Sequence, residues 1–169
     1  MTTSPSTPRV LVVCTGNICR SAMADVVLHA RAAERGLDLA IDSAGVSNEE
    51  EGNPIDPRAR RVLSEAGYAV PEHRARQVEA TELAETTLVL AMTTRHLTAL
   101  RHLAARAGVG EDNLHMWREY DPDLPEGTPV GSALDVPDPW YGGHTDFVDT
   151  LEVVERCADR VLDALTSTN

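Results

Sequence analysis

Cys14 and Arg20 close the two ends of a short loop, Cys14-Thr15-Gly16-Asn17-Ile18-Cys19-Arg20, with Ser21 directly after it. The pattern C-x5-R-S suits an anion. A loop running from a strand into a helix N-terminus can turn successive backbone N–H groups inward as a nest. Gly16 and Asn17 are residue types that tolerate left-handed backbone. The planar fork of Arg20 can hold two oxygens of a phosphate. A thiol at the base of such a nest meets amide dipoles, a helix terminus and a guanidinium, all of which favour the thiolate, the nucleophilic form. Ser21 can add a hydrogen bond to the sulfur. Other readings of Cys14 stand beside this one: a metal ligand, half of a disulfide, or a packed thiol at a strand end. A zinc site needs about four ligands, and the C-x4-C of Cys14 and Cys19 has no second pair. A thioredoxin-like dithiol needs C-x-x-C, which this loop lacks.

The loop needs a strand before it and a helix after it, and the flanking residues predict both. Arg9 to Val13 is a short β-branched run cut off by Thr-Gly-Asn. From Ser21 to Arg35, Met23, Val26, Val27, Ala30 and Ala33 recur at helical spacing, and Gly36 is a stop. Further along, Leu37 to Gly45 predicts a second strand with its exit turn. Asp56 and Pro57 predict an N-cap and first position of a helix that closes at Gly67. Thr86 to Met92 predicts a third strand, and Leu97, Leu100, Leu103 and Ala104 the helix after it. Asn113 to Trp117 predicts a short fourth strand. A Pro/Gly/Asp-rich segment, 120–144, precedes a last helix with Phe147, Leu151, Val154, Ala158, Val161 and Leu165 on one stripe. Strands alternating with helices predict an α/β fold whose parallel sheet is covered on both faces. Such folds bind ligands beyond the carboxyl ends of the strands, which is where this loop falls.

The totals narrow the function. The 169 residues suit one domain, expected over residues 9–166 behind a flexible tail at 1–8. A formal net charge of −12 argues against nucleic acid or an anionic membrane as a general partner, since both require a basic face. The polar start has no apolar signal segment, and no stretch approaches a membrane span. Cysteines are sparse, at positions 14, 19 and 157, which fits free thiols and a cytoplasmic setting. Every lysine-or-arginine cation is an arginine.

The loop Val-Cys-Thr-Gly-Asn-Ile-Cys-Arg-Ser resembles the phosphate-binding loop of the low-molecular-weight protein tyrosine phosphatases. The resemblance runs from Val10 to about Leu165 and takes in Asp42 to Gly45 (DSAG), Asp56 to Ala59 (DPRA), His73 to Gln77 (HRARQ) and Asp138 to Gly143 (DPWYGG). It implies a three-layer α/β/α fold with a central four-stranded parallel sheet of flavodoxin-like order 2-1-3-4. It implies Cys14 as nucleophile, Arg20 as the phosphate and transition-state ligand, and Asp138 as general acid and then general base. Local sequence alone leaves Asp138-Pro139 as much a turn as Asp121-Pro122. The resemblance further implies Asn17 and Ser43 as supports behind the loop, and His73 near it. Trp140 and Tyr141 would form one wall of the substrate slot, with position 49 as the other. The implied ligands are a phosphotyrosine-containing protein as substrate and inorganic phosphate or other oxyanions as competitors, with no cofactor and no metal.

The chain departs from the family pattern in places. Ala22 stands where relatives usually have Pro, and Thr93 where they often have Asp. Glu49 replaces a common aromatic and begins an acidic run, Glu49 to Glu51, which would repel acidic peptides and favour basic ones. Two enzymatic alternatives follow from neighbouring families. Arsenate reductases need relay cysteines mid-chain, and none lies between Cys19 and Cys157. Phosphoarginine phosphatases typically carry Thr where Ile18 stands. A third alternative is a non-catalytic phosphate-binding or redox-sensing module, in which Cys19 pairs with Cys14 on oxidation. His29, His96, His102, His115 and His144 show no partner pattern and are expected at the surface or in packing.

Overall fold

The computed structural model describes residues 6–167. Arg9–Cys14 forms β1, and its side chains alternate between two cores, as a strand buried on both faces must. Val10, Val12 and Cys14 enter one core, and Leu11 and Val13 the other. Helix α1, Arg20–Glu34, follows the phosphate loop and lays Met23, Val27 and Leu28 on the first face. Gly36, with φ of 64°, turns the chain out of α1.

Strand β2, Ala40–Gly45, pairs parallel with β1 in a register that sets Gly45 opposite Cys14. It starts later than Leu37 because the Leu37 N–H still bonds to Ala32 at the end of α1. Asp56 caps α2, Pro57–Glu65, by accepting the Arg58 N–H, as its Asp-Pro start predicts. A short helix, α3, spans Ala80–Glu85, a segment for which no element was expected. Strand β3, Leu88–Ala91, pairs with the other edge of β1, and α4, Thr94–Ala107, packs Leu97 and Leu100 against the second core. Strand β4, Leu114–Met116, is shorter than expected because the Glu119 carboxylate takes the Met116 N–H and turns the chain into a 3-10 turn, Trp117–Tyr120. A second 3-10 turn covers Ser132–Leu134. The last helix, α5, His144–Thr166, buries the predicted stripe of Phe147, Leu151, Val154, Ala158, Val161 and Leu165.

The sheet is four-stranded and all parallel, in the order β2-β1-β3-β4. Helices α1, α2 and α5 cover one face; α3 and α4 cover the other. Chain order reverses between β1 and β3, which puts the end of β1 at the switch point where such sheets bind ligands. Pro8, within the expected tail, is tied down, because its carbonyl accepts the Ala40 N–H. Residues 1–5 of that tail lie outside the described residues. Among the described residues, no helix is long and apolar enough to cross a membrane.

Candidate active site

The loop after β1 is held from outside by its carbonyls. Cys14 O accepts the Val46 N–H (2.9 Å), Thr15 O the Ser47 N–H (3.1 Å) and Ile18 O the Asp56 N–H (2.9 Å). The Asn17 carbonyl is held by His73 Nε2. A peptide N–H points opposite to its carbonyl. Fixing these carbonyls on the scaffold therefore turns the intervening amides toward the concave side of the loop, the geometry of an anion nest. Asn17 carries the left-handed turn, with φ of 61°; Gly16, expected to share it, does not. Gly16 is instead a matter of space, since a Cβ there would lie 3.0 Å from the Glu50 side chain. Gly45 is tighter still: a Cβ would sit 2.5 Å from the Thr15 carbonyl oxygen.

A directed chain of hydrogen bonds supports the sulfur. Asn17 Oδ1 accepts the Arg76 N–H (3.2 Å), which fixes the amide so that Nδ2 faces the site. Nδ2 then donates to Ser21 Oγ and to Ser43 Oγ, both at 2.9 Å. Ser43 passes its own proton to Asp25 Oδ2 (2.9 Å). The Ser21 hydroxyl lies 2.9 Å from Cys14 Sγ, to which it can donate, with the Ala44 carbonyl a more distant acceptor at 3.4 Å. Asp25 also holds His29 through Oδ1 at 2.7 Å, and that bond raises the histidine's pKa. Burial pushes the neighbouring Cys19 thiol up, helped by Asp56, so Cys19 stays protonated beside the loop. Cys157 lies fully buried in α5, and burial raises it to about 12.

Arg20 is only 5% exposed. Its Nη1 donates to the Val136 carbonyl (3.1 Å), and Nη2 lies 3.5 Å from Asp138 Oδ2. These elements enclose a cleft of about 250 Å³. Cys14, Thr15, Gly16, Ile18, Cys19 and Arg20 line it, together with Glu49 and Glu50 and with Asp138, Trp140 and Tyr141. Tyr141 is 93% exposed, and the Asp138 side chain 47%. A larger groove, about 890 Å³, runs between α1 and the chain after α2, but holds none of the C-x5-R-S residues.

The expected residues therefore converge. Asn17 bonds Ser43 behind the loop, His73 holds the Asn17 carbonyl, and Glu49, Trp140 and Tyr141 line the same cleft. Glu50, from the acidic run, lines the cleft with Glu49. Three further contributors were not expected. Asp25 anchors Ser43. His96 is buried, with Nε2 2.8 Å from the Thr15 hydroxyl and Nδ1 without a partner. Burial, with Arg20 and Arg95 adding repulsion, lowers His96 to about 3, so it is a neutral prop under the loop and not general packing. The third is Arg58, which reaches across to the segment that holds Asp138, at the Trp140 carbonyl. A topological signal for His96 exists: it follows β3, whose end lies beside that of β1.

A thiol in an amide nest, a buried guanidinium and a half-exposed carboxylate on one cleft can perform in-line phosphoryl transfer. A family model described as low molecular weight phosphotyrosine protein phosphatase matches residues 9–169. A low molecular weight protein-tyrosine-phosphatase of Streptomyces coelicolor is 42% identical, with 94% of each chain covered. Low molecular weight protein-tyrosine phosphatase A of Mycobacterium tuberculosis is 43% identical over 86% of this chain and 84% of its own. Among solved structures, YfkJ from Bacillus subtilis superposes with a TM-score of 0.84 at 28% identity, covering 96% of both chains. With that match and those shared lengths, the chain belongs to the low molecular weight phosphotyrosine protein phosphatase family.

Proposed function

We propose that this protein hydrolyses phosphotyrosine in proteins, and small aryl phosphates, through a cysteinyl-phosphate intermediate. The observation that carries the reading is the meeting of Cys14, Arg20 and Asp138 on one cleft. The Cys14 thiolate attacks phosphorus in line and forms the S–P bond as the P–O(aryl) bond breaks. Arg20 and the loop amides take the equatorial oxygens, where the charge lies. Asp138, protonated, gives its proton to the departing phenolate. As a carboxylate it then takes a proton from water, whose oxygen attacks phosphorus and releases the thiolate and inorganic phosphate. Ser21 supports the sulfur as it leaves.

Trp140 and Tyr141 receive the aromatic ring, and inorganic phosphate and similar oxyanions compete for the loop. Glu49 and Glu50, in the lining of the same cleft, favour basic residues flanking the phosphotyrosine. The free cysteines fit a reducing, cytoplasmic setting. The test is phosphate release from a phosphotyrosine peptide. Cys14→Ser is expected to lower kcat by at least ~10³-fold. Turnover equal to wild type would overturn the mechanism, and a silent wild type would leave a phosphate-binding module.

A further inference from the structure

The residue before α2's first turn and the one just inside it join two loops that sequence separates widely. Asp56 donates its backbone N–H to the Ile18 carbonyl, in the phosphate loop, at 2.9 Å. Its carboxylate grips Arg58 side-on, with Nε–Oδ1 at 3.1 Å and Nη2–Oδ2 at 3.0 Å. The remaining nitrogen, Nη1, donates to the Trp140 carbonyl at 2.8 Å and approaches the Gly142 carbonyl at 3.5 Å. The guanidinium carbon also lies 5.2 Å from the Trp140 ring centroid and 4.6 Å from that of Phe147 in α5. Trp140 in turn donates its backbone N–H to Asp138 Oδ1 at 3.1 Å. The path from the loop to the candidate acid thus runs Ile18, Asp56, Arg58, Trp140, Asp138, in unbroken hydrogen bonds.

We propose that Arg58 is a positioning residue for the general acid, and that with Asp56 it sets the acid segment's distance from the phosphate loop. The proposal rests on the phosphatase reading above. A local role for Arg58, steadying the start of α2, needs only the Asp56 contact. The Trp140 and Gly142 carbonyls and the two rings lie more than eighty residues further along the chain and serve no such purpose. A planar fork is required: Nε and Nη2 face Asp56 while Nη1 faces the acid segment, a division that an ammonium cannot reproduce. The segment has a second anchor, because Asp146 in α5 accepts the Gly143 N–H at 2.8 Å. The other end is held at Val136, whose N–H bonds to Met92 and whose carbonyl accepts from Arg20. Loss of Arg58 therefore leaves both ends attached but releases the Trp140 turn whose N–H orients Asp138. A general acid depends on placement within hydrogen-bond reach of the leaving oxygen, so drift there costs proton transfer and little else.

The experiment compares kcat/KM for phenyl phosphate, whose leaving group needs a proton, with that for 2,4-dinitrophenyl phosphate, whose leaving group does not. Arg58→Met keeps the length of the side chain and its contact with the rings. It is expected to lower the phenyl phosphate value by roughly 10-fold and the dinitrophenyl value by less than about 2-fold. In an Asp138→Ala background the same substitution is expected to cost nothing further, since no acid is left to position. Arg58→Lys restores the charge without the fork and is expected to fall between Met and wild type. It carries the same comparison if Arg58→Met folds in low yield. Equal losses on the two substrates, or full additivity with Asp138→Ala, would overturn the proposal. Wild type silent on both substrates overturns the phosphatase reading instead. Asp138→Ala discriminating between the substrates while Arg58→Met does not overturns the positioning role alone.

Discussion

Asp121 and Asp138 each precede a proline, each begins a turn, and each lies near an arginine, yet the fold uses them in opposite ways. The Asp121 carboxylate is wholly buried. Arg156 grips it with Nε and Nη2, both at 2.9 Å, Arg118 adds Nε at 3.0 Å, and the Asp123 N–H closes a fourth bond. Asp138 is half exposed and has two contacts, the Trp140 N–H at 3.1 Å and a long approach of 3.5 Å to Arg20. A carboxylate surrounded by donors is locked in one charge state. A carboxylate that must give and retake a proton in each turnover needs an environment that holds neither state too firmly. The same dipeptide is a rivet in one place and, on the proposed mechanism, an acid in the other, and the donors that surround it make the difference.

The sharpest way to break this comparison is to delete the rivet. Asp121→Ala removes the buried carboxylate that joins Arg118 and Arg156, and is expected to lower unfolding free energy by about 3 kcal/mol in urea titrations. A loss under ~1 kcal/mol would place Asp121 among ordinary surface pairs. Asp138→Ala should invert the pattern. Its kcat/KM on phosphotyrosine is expected to fall ~100-fold, while its unfolding free energy stays within about 0.5 kcal/mol of wild type. A destabilised but active Asp138→Ala would reverse the assignment of the two residues.

Acid sharpens the contrast further. Burial alone would raise the pKa of Asp121, but the bonds from Arg156, the Asp123 N–H and Arg118 outweigh it and hold the group at about 2, below its usual 3.8. The unfolded chain therefore binds the proton first. Asp121's contribution is complete above about pH 4 and is lost as pH falls toward 2, a change on the order of 2 kcal/mol. Asp121→Asn is expected to flatten the stability curve between pH 4 and 2, measured by urea unfolding at each pH. An unchanged slope would mean that other carboxylates carry the acid sensitivity.

The legible part of the site was the part that is contiguous. Cys14, Arg20 and Ser21 sit in one loop whose residue types state their chemistry, and the strand and helix around it followed from apolar spacing. Asp138 could not be separated from Asp121 by local sequence; only the family resemblance distinguished them. His96, Asp25 and Arg58 were hidden because their roles exist only after folding, when β3's end meets β1's and α2's first turn meets the acid segment. Helix α3 was missed because six residues show too little periodicity, although its Glu79–Glu82 capping box is a readable start. The early end of β4 depends on Glu119 folding back, which no strand pattern encodes.

Gly45 has no functional group, yet the Thr15 carbonyl rests where its side chain would be. Even one methyl group there would push on the peptide that shapes the phosphate nest. A survey of reactive side chains would pass over this position, and a search for inhibitors would find nothing on it to bind. Any side chain at Gly45 would nonetheless force the Thr15 peptide to move. The constraint at that position is on an empty volume, and the site depends on its staying empty.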